Sequence, residues 1–232
     1  MKVVKLLFLG IISVAYISCA QESSNNARVS VDQVSQNQQQ EPIPFQVQEG
    51  MEVATFAGGC FWCTEAIFER VEGVTSSVSG YAGGSEENPT YKDVSYGRTG
   101  HAEAVQIIYD PKVVSYAKLL EVFFATHDPT QLNRQGPDVG RQYRSAVFYH
   151  NAAQKGILAK YVAELNGSDK FSKEIVTEQV PYINFYEAEA YHQDYYEINP
   201  YQPYVYKVSR PKVEKLLKLF PEIIKAKYRK VK

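Results

Sequence analysis

Between residues 52 and 73 a run of strand-forming residues breaks at two glycines and restarts with helical spacing. Glu52 to Ala57 reads as a short strand, and Gly58-Gly59 supplies the backbone freedom of a turn. Trp62, Ala66, Ile67 and Val71 then recur on one face, with Glu65, Glu69 and Arg70 on others, and Gly73 closes the segment. A strand that turns directly into a helix fixes one unit of a layered domain. It also sets Cys60, in Gly58-Gly59-Cys60-Phe61-Trp62-Cys63, at the start of that helix.

The same reading extends along the chain. Val74 to Tyr81 and Ala104 to Tyr109 read as strands, separated by an irregular stretch from Ala82 to Gly100 of the kind that is often functional. Ser115 is a plausible cap for a helix carrying Leu119, Leu120 and Phe123, and a second loop runs from Asp128 to Gln142. Strands are expected at Tyr143 to Tyr149 and Lys173 to Val180, flanking an amphipathic helix from Ala152 to Leu165 that ends at Asn166-Gly167. Helical patterns around Glu187 to Tyr196 and Lys212 to Leu219 finish the chain. Strands and helices interleave without a repeat, which predicts an α+β fold, a single layered domain of mixed sheet and helices. With 44% apolar residues in 232, one well-buried core is within reach. A formal charge of -1 gives no basic field, so nucleic acid is set aside as a partner.

The first fifty residues read as address and tether. Lys2 and Lys5 precede an apolar run from Leu6 to Ile17, and small Ser18 precedes Cys19. That run falls short of the roughly 20 apolar residues a bilayer-spanning helix needs. Tyr16-Ile17-Ser18-Cys19-Ala20 resembles a bacterial lipoprotein signal, although Tyr16 stands where leucine is usual. The reading is a signal peptide over residues 1–18, a lipid-anchored flexible tether over 19–50, rich in Ser, Asn, Gln and Glu, and a folded domain over 51–232. It implies an exported protein held to a membrane through Cys19, facing the periplasm or the cell exterior. A plain cleaved signal with an incidental cysteine is the competing reading.

Three cysteines, at 19, 60 and 63, are too few for a disulfide scaffold. A cysteine at a helix start meets the positive end of the dipole, which favours the reactive thiolate and lowers its pKa. Cys60 and Cys63 lie one turn apart, close enough to join as a disulfide after a small adjustment, which supports redox chemistry. A zinc half-site would need two further ligands, and only the scattered His101, His127, His150 and His192 are at hand. Burial of both cysteines as plain core residues is the third reading.

Gly59-Cys60-Phe61-Trp62 resembles the active-site motif of the peptide methionine sulfoxide reductase A family. Gly80-Tyr81-Ala82-Gly83-Gly84, Asn88-Pro89-Thr90-Tyr91, Gly100-His101-Ala102-Glu103-Ala104-Val105, His127-Asp128-Pro129-Thr130-Gln131 and Gln142-Tyr143-Arg144-Ser145-Ala146 are similar to the family in the family's order. The resemblance implies a ferredoxin-like core, with Cys60 as nucleophile and Glu103 as proton donor. Tyr91, Tyr143 and Asp138 would assist, and Phe61 and Trp62 would wall the methyl group on sulfur. It implies as substrates free methionine sulfoxide and oxidised proteins, with preference for the S epimer. Electrons would come from a thioredoxin-like dithiol donor, without cofactor or metal. Partial shielding of Glu103 should raise its proton affinity, as an acid working near neutral pH requires. Tyr191-His192-Gln193-Asp194 also resembles the family, and His192 reads as a supporting residue rather than a catalyst.

Attack by Cys60 on the sulfoxide would leave a sulfenic acid, which condenses readily with a nearby thiol. Here the chain departs from a common family pattern of resolving cysteines near the C-terminus: Asn199-Pro200-Tyr201-Gln202-Pro203-Tyr204 has none, and none follows Cys63. Cys63 is the internal candidate for resolution through a Cys60–Cys63 disulfide. Direct attack by a donor thiol on the sulfenic acid is the alternative. Competing with the whole assignment are a generic extracytoplasmic thiol–disulfide oxidoreductase, suggested by C-x-x-C alone, and a lipoprotein that binds a partner through the loop from Ala82 to Gly100.

Overall fold

The computed structural model describes residues 47–229. The expected signal peptide, Cys19 and most of the expected tether lie outside the described residues. Eight strands and six α-helices follow in chain order among the described residues. The central sheet has six strands in the order β7 (Glu178–Pro181), β6 (Ser145–Tyr149), β1 (Glu52–Gly58), β3 (Ala102–Tyr109), β2 (Val74–Ala82) and β8 (Phe185–Glu187). Its middle is built from β1, β2, β3 and β6. Helix α1 (Phe61–Glu69) joins β1 to β2, and α3 (Tyr116–Thr126) lies between β3 and β6. Strand, helix, two strands, helix and strand, with the last strand paired to the first, is the ferredoxin-like arrangement. β1 runs antiparallel to both β3 and β6, with Phe56 opposite Val105 and Val147. Outside this core, β7 pairs parallel to β6 after α4 (Ala152–Asn166), and β8 pairs antiparallel to β2.

Alternation along the strands divides the core into two layers. Ala54, Phe56, Val105, Ile107, Tyr109 and Val147 face the helices, where Phe56 stacks between Phe68 of α1, at 4.9 Å, and Phe123 of α3, at 5.1 Å. Each fully buried side chain of this size contributes about 2–3 kcal/mol of transfer free energy. Ala57, Ala82, Ala102, Ala104 and Ala146 take the opposite face and pack against Phe148 and Phe185. Helix α6 (Arg210–Leu219) closes the helical layer, buries Val213 and Leu216, and packs against α1 and α3. Side chains cap α3 and α4: Ser115 accepts from the Lys118 N–H at 3.2 Å and Asn151 from Gln154 at 2.9 Å.

Several expected boundaries shift. The strand expected at Lys173 to Val180 joins the sheet only from Glu178, because the Ile175 and Val176 N–H groups donate to Asn166 Oδ1 and the Pro129 carbonyl. The strand expected from Tyr143 starts at Ser145, since Arg141–Tyr143 closes a 3-10 turn. The helical pattern at Glu187 to Tyr196 resolves into the end of β8, a 3-10 turn at Ala190–His192 and the short α5 (Tyr195–Ile198). Asp194, in the left-handed region at φ 53°, interrupts it. Both long loops hold structure: α2 (Tyr91–Ser95) in the first, and in the second a small hairpin of β4 (Arg134–Gln135) and β5 (Asp138–Val139). Among the described residues no helix is long and apolar enough to cross a membrane.

Candidate active site

The turn between β1 and α1 is built around Gly59. Its φ of +90° belongs to the left-handed region, and a Cβ there would lie 2.5 Å from Cβ of Gln135. Glycine therefore lets the hairpin of β4 and β5 close over the turn. Cys60 follows as the residue before α1, its carbonyl accepting from Cys63 N–H at 3.2 Å, and no side chain caps the helix. Glu103 shares the parity of Val105 and Ile107 on β3, so its carboxyl rises into the layer below α1. There the Phe61 N–H, free at the helix start, donates to Glu103 Oε2 at 3.0 Å.

Seven of the residues singled out from sequence line one cavity of about 260 Å³: Cys60, Phe61, Trp62, Tyr91, Glu103, Asp138 and Tyr143. Gln202 and Tyr204 complete its wall, and sequence reasoning missed both. The segment around Tyr204 drew attention only for the cysteine it lacks, yet the Tyr204 hydroxyl donates to Asp138 Oδ2 and its ring meets Trp62 edge-on at 5.9 Å. Trp62 is fixed from two further directions. Tyr195 stacks on it at 3.8 Å, and its Nε1–H donates to His192 Nδ1 at 3.1 Å. Burial lowers the pKa of His192, which suits a neutral ring accepting at Nδ1. Tyr91 is held at the start of α2, where its N–H donates to Glu189 Oε1 at 2.9 Å. A larger hollow of about 850 Å³ beside Leu132 and Lys173 contains no cysteine.

Cys63 does not line the cavity. It is 1% exposed against 5% for Cys60, and its Sγ lies 3.1 Å from Ser209 Oγ. Cys19 lies outside the described residues.

Burial raises Glu103 to about 8, with the charges of Asp138 and Cys63 adding and the Phe61 N–H opposing. The carboxyl thus carries its proton at neutral pH. The expectation that the helix start lowers the Cys60 pKa needs correction. Burial pushes the Cys60 thiol well up, the hydrogen bond to Cys63 and the charges of Cys63 and Glu103 push it further, and only Lys212 opposes among the named causes. Cys63 is lowered instead, first by the hydrogen bond from Cys60, with Lys212 and Ser209 assisting against burial. The two sulfurs titrate as one unit that shares a proton between them. Burial also raises the phenols of Tyr91, Tyr143 and Tyr204, which keeps them protonated as donors. Among the described residues no group of three or more His, Cys, Asp and Glu could hold a metal ion.

Residues 52–222 match the family model described as peptide methionine sulfoxide reductase. The chain belongs to that family. Its relatives include the peptide methionine sulfoxide reductase MsrA of Saccharolobus solfataricus, 53% identical over 75% of this chain and 98% of that protein. MsrA of Thermus thermophilus is 51% identical over 75% of this chain and 98% of its own. Among solved structures, Mxr1 from Saccharomyces cerevisiae in reduced form superimposes with a TM-score of 0.62 and 38% identity, covering 68% of this chain and 91% of that one. Methionine sulfoxide reductase A of Corynebacterium diphtheriae gives 0.60 and 36%, covering 67% and 79%. The reductase accordingly returns methionine sulfoxide to methionine, and a generic thiol–disulfide oxidoreductase is not favoured.

Proposed function

We propose that the reductase works through a sulfenic acid on Cys60. The observation that carries this reading is the meeting of the Cys60 thiol and a protonated Glu103 in one cavity walled by Phe61 and Trp62. Phe61 and Trp62 receive the methyl group on sulfur, Tyr91 and Tyr143 donate to the sulfoxide oxygen, and Asp138 assists by holding the Tyr204 hydroxyl in the same wall. As Cys60 sulfur attacks the sulfoxide sulfur, Glu103 gives its proton to the oxygen, which transfers to Cys60 as the hydroxyl of the sulfenic acid, and the Cys60 thiol proton replaces the one Glu103 gave. Methionine leaves with the two electrons that Cys60 has lost. Cys63 then attacks the sulfenic sulfur, water departs, and a Cys60–Cys63 disulfide remains. A thioredoxin-like dithiol returns both cysteines to thiols by two exchanges, becoming a disulfide itself, and no cofactor enters. Substrates are free methionine sulfoxide and the same group on oxidised proteins, in its S epimer.

The test is turnover of each resolved epimer of methionine sulfoxide, free and in a peptide, with dithiothreitol. Turnover of the S epimer that is lost in Cys60→Ser and kept in Cys19→Ser supports the reading. Turnover that survives Cys60→Ser sinks it.

The amino-terminal segment supports a second part of the proposal. Residues 1–18 act as a bacterial lipoprotein signal, Cys19 carries the lipid, residues 19–50 form a tether, and residues 51–232 work at a membrane surface outside the cytoplasm. The mature protein should partition into detergent and lose that behaviour in Cys19→Ser. Retention in detergent by the Cys19→Ser form would end the anchor proposal.

A further inference from the structure

Behind Cys63 the structure holds a lysine that the reductase chemistry described so far does not use. Lys212 Nζ, on the first turn of α6, is buried and has no hydrogen-bond partner. An ammonium removed from water without a partner is costly, so a counter-charge is to be sought nearby. Three residues earlier, one turn away, Ser209 is fully buried and its Oγ lies 3.1 Å from Cys63 Sγ. Val213 and Leu216 of α6 share one buried cluster with Cys60 and Cys63. The groups that bear on Cys63 are Cys60 just before α1, Asp138 on β5, Tyr204, Glu103 on β3 and Lys212, of which Lys212 is the cation. His127, which also feels Lys212, is bonded at both ring nitrogens to the Phe123 carbonyl and Ser145 Oγ and offers it no negative charge.

We propose that Ser209 and Lys212 form a seat for the Cys63 thiolate, with the buried ammonium as its counter-charge, and that this seat makes Cys63 both a ready attacker and a good leaving group. The proposal rests on the resolving role given to Cys63 above. When Cys63 attacks the Cys60 sulfenic acid it brings its electron pair already freed of a proton, and the hydroxyl leaves as water with one proton from the site. The seat acts again in reverse. Cys60 lines the cavity and Cys63 does not, so a donor thiolate reaches the Cys60 sulfur. It forms a mixed disulfide there and expels Cys63 as the thiolate onto Lys212, and the donor's second thiol then releases Cys60. A lower-pKa thiol leaves faster, and a reduced form that is stabilised makes its disulfide more oxidising. Lys212 is on this reading a positioning residue that acts through Cys63.

The experiment uses the full chain in reduced form, mixed with one equivalent of methionine sulfoxide between pH 5 and 9. Methionine released and Cys60–Cys63 disulfide formed are measured in the same acid-quenched samples. In Lys212→Met the pH midpoint of disulfide formation should rise by about one unit, making that step about tenfold slower near pH 6, while methionine release falls less. Lys212→Arg should restore the midpoint, and Ser209→Ala should shift it in the same direction by a smaller amount. At equilibrium with dithiothreitol, the Lys212→Met disulfide should be about tenfold harder to reduce, or about 30 mV more negative. Because the pair is charged only above the Cys63 pKa, reduced Lys212→Met should lose more melting temperature relative to the parent at pH 8 than at pH 5. An unmoved midpoint, or equal losses in methionine release and disulfide formation, overturns the seat. Should the parent protein release methionine and form no Cys60–Cys63 disulfide, the resolving role of Cys63 falls first and the seat with it.

Discussion

Replacing Glu103 with Gln preserves the shape of the side chain but removes the only proton it can gain or lose. In the parent, burial lifts Glu103 from its ordinary 4.5 to about 8. Between those values the folded protein holds a proton that the unfolded chain has released, so stability falls as pH rises. The contribution is neutral below the unfolded value, grows more unfavourable up to about pH 8, and is constant above. At about 1.36 kcal/mol per pH unit the loss reaches roughly 5 kcal/mol across the window and about 3 kcal/mol at pH 7. These are ceilings, because water entering the cavity relaxes a buried charge. Glu65 and Glu69 are also raised by burial, to about 8 and about 7, and titrate in the same range. Both proteins share them, so the difference between parent and Glu103→Gln isolates Glu103. Urea unfolding under reducing conditions should give nearly equal stabilities at pH 5 and a Gln variant more stable by several kcal/mol at pH 8.5. The same variant should lose about 10²–10⁴-fold in methionine release, since an amide cannot protonate the leaving oxygen. Stability curves that stay parallel from pH 5 to 8.5 would refute the assignment of a buried, proton-holding Glu103.

Gly59→Ala must adopt a left-handed φ and push aside Gln135, so its urea midpoint should fall by the equivalent of about 2 kcal/mol or more; a neutral effect would contradict the packing of the hairpin on the turn. His192→Leu removes the acceptor of the Trp62 N–H, and a loss of about 0.5–1.5 kcal/mol in substrate binding should appear as a two- to tenfold lower kcat/KM; an unchanged value would show that Tyr195 and Tyr204 suffice to hold the ring. Cys63→Ser should complete one turnover and accumulate the sulfenic acid, detected by a selective trapping reagent, when a dithiol protein is the donor. Undiminished steady-state turnover would show that the donor attacks Cys60 directly.

Much of the domain can be read from local pattern. The strand, Gly-Gly turn and helix around Cys60 are visible because a period of two gives way to a helical period at the glycines, and Ser115 caps α3 through its side chain. What escaped is long-range. Lys173 to Thr177 has strand-forming residues, but the N–H groups of Ile175 and Val176 are taken by Asn166 and Pro129. The pattern at Glu187 to Tyr196 breaks because Ala188 N–H bonds to Ser79 of β2 and the Gln193 side chain reaches the same residue. The site divides in the same way. Its motif residues stand out in sequence, whereas Gln202, Tyr204, Ser209 and Lys212 become neighbours of the cysteines only when the C-terminal helix folds back on α1. The contrast between Cys60 and Cys63 was illegible for the same reason, since it depends on their hydrogen bond to each other and on the Ser209 and Lys212 that folding brings beside them.

The narrowness of the cavity also limits what the reductase can repair. In a space of about 260 Å³ the Cys60 in its wall is only 5% exposed, so a methionine sulfoxide must leave its own surroundings and enter the cavity to meet it. A methionine locked in another protein's core, or lying flat along a rigid helix, cannot extend far enough to reach that sulfur. Oxidised residues on loops, frayed ends and partly unfolded chains can. Selectivity in a mixed protein population is then governed by the mobility of the damaged segment, and the enzyme acts as a gauge of local order in its clients.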